Sequence, residues 1–161
     1  MEIRKKPWNR PNQPIYSVCS KGDNGFNMNI VSYVTPVSMK PKRYMVAVYE
    51  GTKTLENIKQ NPHVVLQLLS DDQYPLVRLL GKQSGKKIEK IAKLEKQNKL
   101  QRWNNFPVLK DALAYVELKV MSVVPGGDHE CFICDVVAYR NENDGEALGL
   151  HTLSKHKIIS I

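Results

Sequence analysis

Two long alternating runs joined by four turn residues dominate the C-terminal half of the chain. Ala112 to Val124 (ALAYVELKVMSVV) alternates enough to be a half-buried strand, Pro125-Gly126-Gly127-Asp128 is a turn signal, and His129 to Tyr139 (HECFICDVVAY) continues as a second strand. A connection this short returns the chain antiparallel to itself. The pattern therefore predicts a long antiparallel hairpin and a mainly β fold around it.

Shorter elements of the same kind precede it. Ile15 to Ser20 (IYSVCS) reads as a strand, and Lys21-Gly22-Asp23-Asn24-Gly25 supplies residues that tolerate positive φ. Arg43 to Tyr49 (RYMVAVY) and His63 to Ser70 (HVVLQLLS) are continuous apolar runs, too short for confident helices, and are expected as buried strands. Between them a helix is predicted over Thr54 to Asn61, with Thr54 as N-cap, Glu56 in its first turn and Pro62 as its stop. Asp71-Asp72-Gln73 can cap a short helix reaching Leu80. Lys86 to Arg102 is the most helical segment, with Ile88, Ile91, Leu94 and Leu100 on one side and lysines elsewhere, and Trp103 to Pro107 breaks it. Several strands, tight turns and few helices favour an antiparallel barrel.

A length of 161 residues suits one domain with a sizeable core. The excess of 24 Lys and Arg over 16 Asp and Glu, a formal charge of +8, favours anionic partners: a phosphate-bearing cofactor, a nucleic acid or a membrane surface. Lys82 to Arg102 alone carries eight basic and two acidic residues. No nucleic-acid motif accompanies that run, so it reads as the solvated face of an amphipathic helix. No apolar stretch approaches the roughly 20 residues of a spanning helix, and MEIRKKPWNRPNQP lacks an apolar signal core, so a cytoplasmic location is expected. Residues 1–14 form a basic, proline-broken arm that Trp8 is expected to anchor against the domain.

Three cysteines argue for reduced thiols rather than a disulfide framework. Cys131 and Cys134 spell C-x-x-C, but three residues apart on a strand they point to opposite faces, and no second pair completes a zinc site. No metal is expected.

Chemistry concentrates elsewhere. Asn27, Asn29, Ser32, Thr35 and Ser38 are spaced through an extended segment and can offer amide and hydroxyl donors to a polar ligand. The strand ending at Tyr49, the turn Gly51-Thr52-Lys53-Thr54 and the following helix N-terminus make an anion seat, where free backbone N–H groups and the helix dipole converge. Gly81-Lys82-Gln83-Ser84-Gly85-Lys86-Lys87 can wrap a phosphate but is not G-x-x-x-x-G-K-[ST], which excludes a nucleotide P-loop. The four histidines are scattered and no Ser/His/Asp order or carboxylate pair is readable, so catalysis by side-chain acid and base is poorly supported.

The order of these pieces resembles the flavin reductase-like family of FMN-binding split barrels. Asn27, Ser32, Tyr33, Thr35-Pro36-Val37-Ser38 and Pro41 match its first motif, and the loop Gly51-Thr52-Lys53-Thr54 follows the next strand as it does in the family. FPVLKDALAYVELKV (106–120) resembles its central segment, and Gly127-Asp128-His129 followed by ECFICDVV resembles its G-D-H motif and strand. The likeness covers about residues 14 to 140. It implies a six-stranded antiparallel split β-barrel of Greek-key type with a few short helices, occupying residues 1–161 with an arm at 1–14 and a tail at 141–161. It implies FMN, with FAD permitted, NAD(P)H as reductant, an electron acceptor, and a homodimer holding the flavin near its interface. Residue by residue, it puts Asn29, Ile30, Val31 and Ser32 at the ring and ribityl chain and Thr52, Lys53 and Thr54 at the phosphate. Ser38, Tyr49 and the loop Gly81, Lys82, Gln83 and Ser84 join the cofactor-binding set. His129 is the one candidate catalytic side chain, a hydrogen-bonded structural residue being the alternative, and Asp128 either orients it or caps the turn. The chain departs from the pattern at Ile30, where Thr is frequent, and at Cys134, where Gly is. A non-catalytic flavin carrier and a basic nucleic-acid module are the alternative readings.

Overall fold

The structure of the protein is a computed structural model, in which residues 5–161 are described. Arg4 of the basic arm lies outside them.

Seven strands share one antiparallel sheet. In chain order they are β1 (Tyr16–Gly22), β2 (Gly25–Val31), β3 (Val34–Ser38), β4 (Arg43–Tyr49), β5 (His63–Leu68), β8 (Ala114–Gly126) and β9 (His129–Asn141). Their spatial order is β2-β1-β5-β8-β9-β4-β3. A separate hairpin is made by β6 (Leu100–Trp103) and β7 (Phe106–Leu109). Helices α1 (Lys53–Gln60), α2 (Leu76–Leu80), α3 (Lys90–Lys96) and α4 (Leu150–Lys155) complete the fold.

The expected long hairpin is present, with thirteen residues in each of β8 and β9 and Gly126 opposite His129. The expected six-stranded ring is not what the pairing gives: seven strands share the sheet, and β2 and β3 are its two hydrogen-bonding edges. Yet only Ser32 and Tyr33 separate those edges along the chain. Two residues span only about 10 Å beyond the strand ends, so the sheet must curl until its first and last strands approach. Pro36 lies on the edge strand β3, where a missing ladder donor is tolerated.

Curling gives the sheet an inside and an outside, and both are buried. Val18, Val46, Val48, Val64, Leu66, Leu118, Phe132 and Cys134 form one cluster, capped by Leu55 and Ile58 of α1. The intervening residues Cys19 and Val65, with Ile15, Met28, Leu69 and Tyr115, join a second cluster with α2, α3, β7 and α4. This is why HVVLQL carries apolar residues without clean alternation. Cys134 faces the inner cluster and Cys131 the opposite side, as strand geometry requires. Burial pushes the Cys134 thiol up to about 12 and raises that of Cys19 further.

Three local expectations are corrected. The segment 86–102 is not one helix: α3 ends at Lys96, Asn98 takes a left-handed conformation (φ 54°), and Leu100–Trp103 pairs with β7 instead. The break at 103–107 is the turn of that hairpin, with Asn104 and Asn105 both at positive φ (47° and 67°). Trp8 is 66% exposed and anchors nothing. The arm is tied instead through Asn12, whose Oδ1 accepts from His151 N at 2.9 Å, and through a bridge from Pro14 to Gly149. Leu148, Leu153 and Ile158 bury the C-terminal segment in the outer cluster.

Candidate functional site

The turn after β4 is shaped by Gly51, whose φ of +76° suits glycine. Thr52 follows as the N-cap of α1, its Oγ1 accepting from Leu55 N at 3.2 Å and donating to Tyr49 O at 2.9 Å. The cap is thus Thr52, not Thr54. Thr54 is fully buried and its Oγ1 accepts from Asn27 Nδ2 at 3.3 Å, which pins α1 to β2. The hydroxyl of Thr52 is committed, so the backbone N–H groups of Lys53 and Thr54, which have no intrahelical acceptor, are what the helix end offers an anion.

A second loop, Gly81 to Lys87, folds down over this turn. Ser84 organises it: its Oγ accepts from Lys86 N at 3.2 Å and its carbonyl accepts from Lys87 N and Ile88 N, both at 3.0 Å. At Gly85 an added Cβ would collide with Asn27 Oδ1 and sit 3.1 Å from Lys53 Cβ, so glycine is what lets the loop approach β2 and α1. Glu56 ties the two pieces together, its carboxylate 2.8 Å from Lys86 Nζ and 3.6 Å from Lys53 Nζ. Those ammonium groups hold its pKa below the ordinary value, with Lys86 the larger influence.

Between turn and loop lies a cavity of about 420 Å³. Asn29, Ile30, Tyr49, Thr52, Lys53, Gly81, Lys82, Gln83 and Ser84 all line it, so nine of the expected binding residues are brought together from three separate stretches. Val31, Ser32, Ser38 and Thr54 are not among its walls; Val31 turns into the inner cluster and Thr54 into the helix–strand contact. Asn27, Glu50, Gly51, Gly85 and Lys90 also line it. Lys90 is the residue the sequence hid best, since it was one lysine among many. A signal existed: Lys90 is four residues before Leu94 and so shares the apolar face of α3.

A larger cleft, about 920 Å³, opens between α2, α3 and the segment 143–146, and shares only Gln83 with the smaller one. Its charges are mixed with an acidic excess, Asp71, Asp72, Asp111, Asp144 and Glu146 against Arg78, Lys93 and Lys99. Size alone favours it, but the smaller cavity unites the helix N-terminus, the glycine-bounded loop and three lysines, a lining suited to an anion.

His129 stands at the rim. Glu50 N donates to Asp128 O at 3.0 Å, which joins the β8–β9 turn to the turn after β4, and His129 pairs with Tyr49 in register. Its ring lies between Tyr33 and Tyr49, with centroids 5.1 and 5.2 Å away. Nδ1 faces Asp128 Oδ1 at 2.6 Å, which fixes the proton there in the neutral tautomer and leaves Nε2 as the acceptor. The imidazole therefore does not line the cavity but meets it through Tyr49.

The family model of the flavin reductase like domain matches residues 8–158 of this chain. The chain belongs to that family. Among relatives of this flavin reductase-like protein is an FMN reductase (NADH) named RutF 2 from Rhizobium rhizogenes, 27% identical over 81% of this chain and 73% of that protein. A reductase component of a 4-nitrophenol monooxygenase from Rhodococcus opacus is 26% identical over 66% of this chain. The chain spans 54% of that relative's length and 24% of a larger one from Nostoc. Among solved structures, an FMN-binding protein from Thermus thermophilus superposes with a TM-score of 0.74 at 21% identity, covering 88% of this chain and 78% of that one. Flavin reductase PheA2 gives 0.74 at 23% identity, covering 91% and 92%. At these identities the structural likeness speaks for the fold.

Proposed function

We propose that the protein binds FMN in the 420 Å³ cavity and acts as an NAD(P)H-dependent flavin reductase-like oxidoreductase. The observation that carries this reading is the convergence of the α1 N-terminus and the Gly81–Gly85 loop on one cavity, with Lys53 and Lys82 in its walls. A helix end, an ammonium group and the Ser84 hydroxyl form a compact seat for one terminal phosphate, which suits FMN rather than a dinucleotide. Beyond the phosphate, Asn29 Nδ2 remains available as a donor, because its Oδ1 is taken by Ile30 N at 3.0 Å. Ile30 gives that wall an apolar patch, suited to a ring face. The volume is in the ordinary range for small-ligand sites, about 300–1,000 Å³.

Bound there, the flavin supplies two-electron transfer between a nicotinamide and an acceptor. The chain's own task is to bind, orient and limit access of water. In this reading Tyr49 and His129 border the open side, and Nε2 of His129 meets the incoming nicotinamide. Exposed apolar side chains lie beside that side, Tyr33 against the His129 ring and Val123 and Val124 on distal β8 opposite the start of β9. Such a concentration supports a homodimer whose interface closes the open side of the cavity.

No helix among the described residues is long and apolar enough to cross a membrane. The test is direct. Purified protein should be yellow or take up FMN with quenching of its fluorescence, mass spectrometry should identify the released cofactor as FMN, and NADH or NADPH should be consumed when flavin is supplied. Release of FAD would overturn the FMN assignment, and FMN binding without nicotinamide oxidation would make the protein a carrier.

A further inference from the structure

Three quarters of the molecule's excess charge sits in 21 residues. Lys82 to Arg102 carries eight basic and two acidic side chains, a net +6 of the chain's formal +8, which leaves +2 for the other 140 residues. The structure divides this run among the 81–87 loop, α3 and β6 instead of laying it along one solvated helix. Lys82 lines the 420 Å³ cavity, Lys86 lines a recess of about 150 Å³ behind Gly85, and α3 starts at the wall of both. That start is fixed by Lys90, 2% exposed, whose Nζ donates to Leu80 O at 2.7 Å. Lys82, Lys87, Lys93 and Lys96 are exposed, and among the described residues none of the four forms an ion pair within 4.0 Å.

Unpaired surface charge acts at a distance, and here the distances are short. The seven residues of α3 span about 10 Å. Lys93 and Lys96 therefore lie within about one Debye length of the cavity wall at 0.1 M salt, and well within the roughly 30 Å that applies at 0.01 M. The opposing carboxylates are placed unevenly. Asp71, Asp72, Asp111, Asp144 and Glu146 line the large cleft and offset Lys93 and Lys99 on that side. Glu89 and Glu95 are already counted in the local net charge, and Glu56 is engaged by Lys53 and Lys86. Glu50 is the one carboxylate in the lining of the smaller cavity. The positive potential thus opens toward that cavity and is cancelled at the cleft.

We infer that the exposed lysines of the 81–87 loop and α3 form an electrostatic funnel, which speeds capture of a dianionic ligand by the cavity without touching that ligand once it is bound. This deepens the proposed function and rests on it. Lys87 and Lys96 carry the inference most cleanly, because neither lines the cavity, the recess or the large cleft. A charge at such a position bends the approach of an anion and has no contact to make at the end. It raises the association rate, leaves the dissociation rate nearly unchanged, and is screened by salt.

The test is stopped-flow fluorescence of FMN and of uncharged riboflavin, from about 10 mM to about 0.5 M salt. It compares the protein with a double variant, Lys87→Glu with Lys96→Glu, which lowers the local charge from +6 to +2. At 10 mM salt FMN association should be about fivefold slower or more in this variant, and the two proteins should converge at 0.5 M. Dissociation of FMN should stay within about twofold, as should both rates for riboflavin, which serves as the control for folding. Lys87→Gln with Lys96→Gln should fall between the two. Equal FMN association rates at 10 mM salt, a loss confined to dissociation, or an equal loss for riboflavin would overturn the funnel and leave the proposed function standing. Failure of the unsubstituted protein to bind FMN at any salt would overturn both.

Discussion

Replacing Lys90 by Met should change how the flavin-free protein's stability depends on pH, and the size of the change follows from its burial. The ammonium falls from its ordinary 10.5 to about 8 in the fold. At about 1.4 kcal/mol per unit, burial of the charge costs on the order of 3 kcal/mol below pH 8, where folded and unfolded chains are both protonated. Between pH 8 and 10.5 the unfolded chain keeps a proton that the folded one has lost, so stability rises with pH by up to about 1.4 kcal/mol per unit. The thiols oppose this. Cys134 is pushed up to about 12 from 9.0 and Cys19 is raised too, so above pH 9 the unfolded chain ionises first and both contributions weaken. Wild-type stability should climb from pH 8 to 9 and decline beyond, two thiols outweighing one ammonium. Lys90→Met lacks the climb but keeps the decline. At pH 7 the relief of about 3 kcal/mol is offset by orphaning Leu80 O, about 1–3 kcal/mol, which leaves the variant near neutral to modestly stabilised. Urea unfolding of both proteins from pH 7 to 10.5 under reducing conditions gives the difference curve, in which thiol and tyrosine contributions cancel. Met's advantage should shrink by about 3 kcal/mol across that range. Parallel curves would refute the buried-charge reasoning.

Two further outcomes follow from the cavity. Lys53→Ala should weaken FMN by about 1.5–3 kcal/mol, the worth of a charge-assisted hydrogen bond, and leave riboflavin nearly unchanged; equal losses in calorimetry of the two ligands would mean that Lys53 acts through folding. His129→Asn should leave the melting temperature within about 1 °C and lower single-turnover reduction by NAD(P)H at equal flavin occupancy, since Asn keeps size but not the Nε2 acceptor. A stability loss of about 0.5–1.5 kcal/mol with an unchanged rate would instead make the Asp128–His129–Tyr49 contact structural.

Local chemistry made much of this protein legible in its sequence. The β8–β9 hairpin is announced by alternation on either side of a glycine pair, β4 matches its apolar run, and the turn at Gly51 and the loop at Gly81–Ser84 show in residue type alone the glycines, hydroxyls and lysines on which the proposed phosphate seat rests. These features depend on neighbours a few positions away, which is the range over which sequence pattern acts. Other decisions needed distant partners. Leu100 fits a helical face as well as a strand, and pairing with Leu109 decided for the strand. Thr52 and Thr54 are equal as caps in isolation; Asn27, far away on β2, claimed the hydroxyl of Thr54 and left the cap to Thr52. The strand count depended on which strands reached the two edges of a curling sheet, and nothing local records that. Lys90 is the sharpest case. Its charge is written in the sequence, but its burial arises only where the Gly81–Gly85 loop, β2 and α1 close around the start of α3, and burial is what pulls its ammonium below the ordinary lysine range.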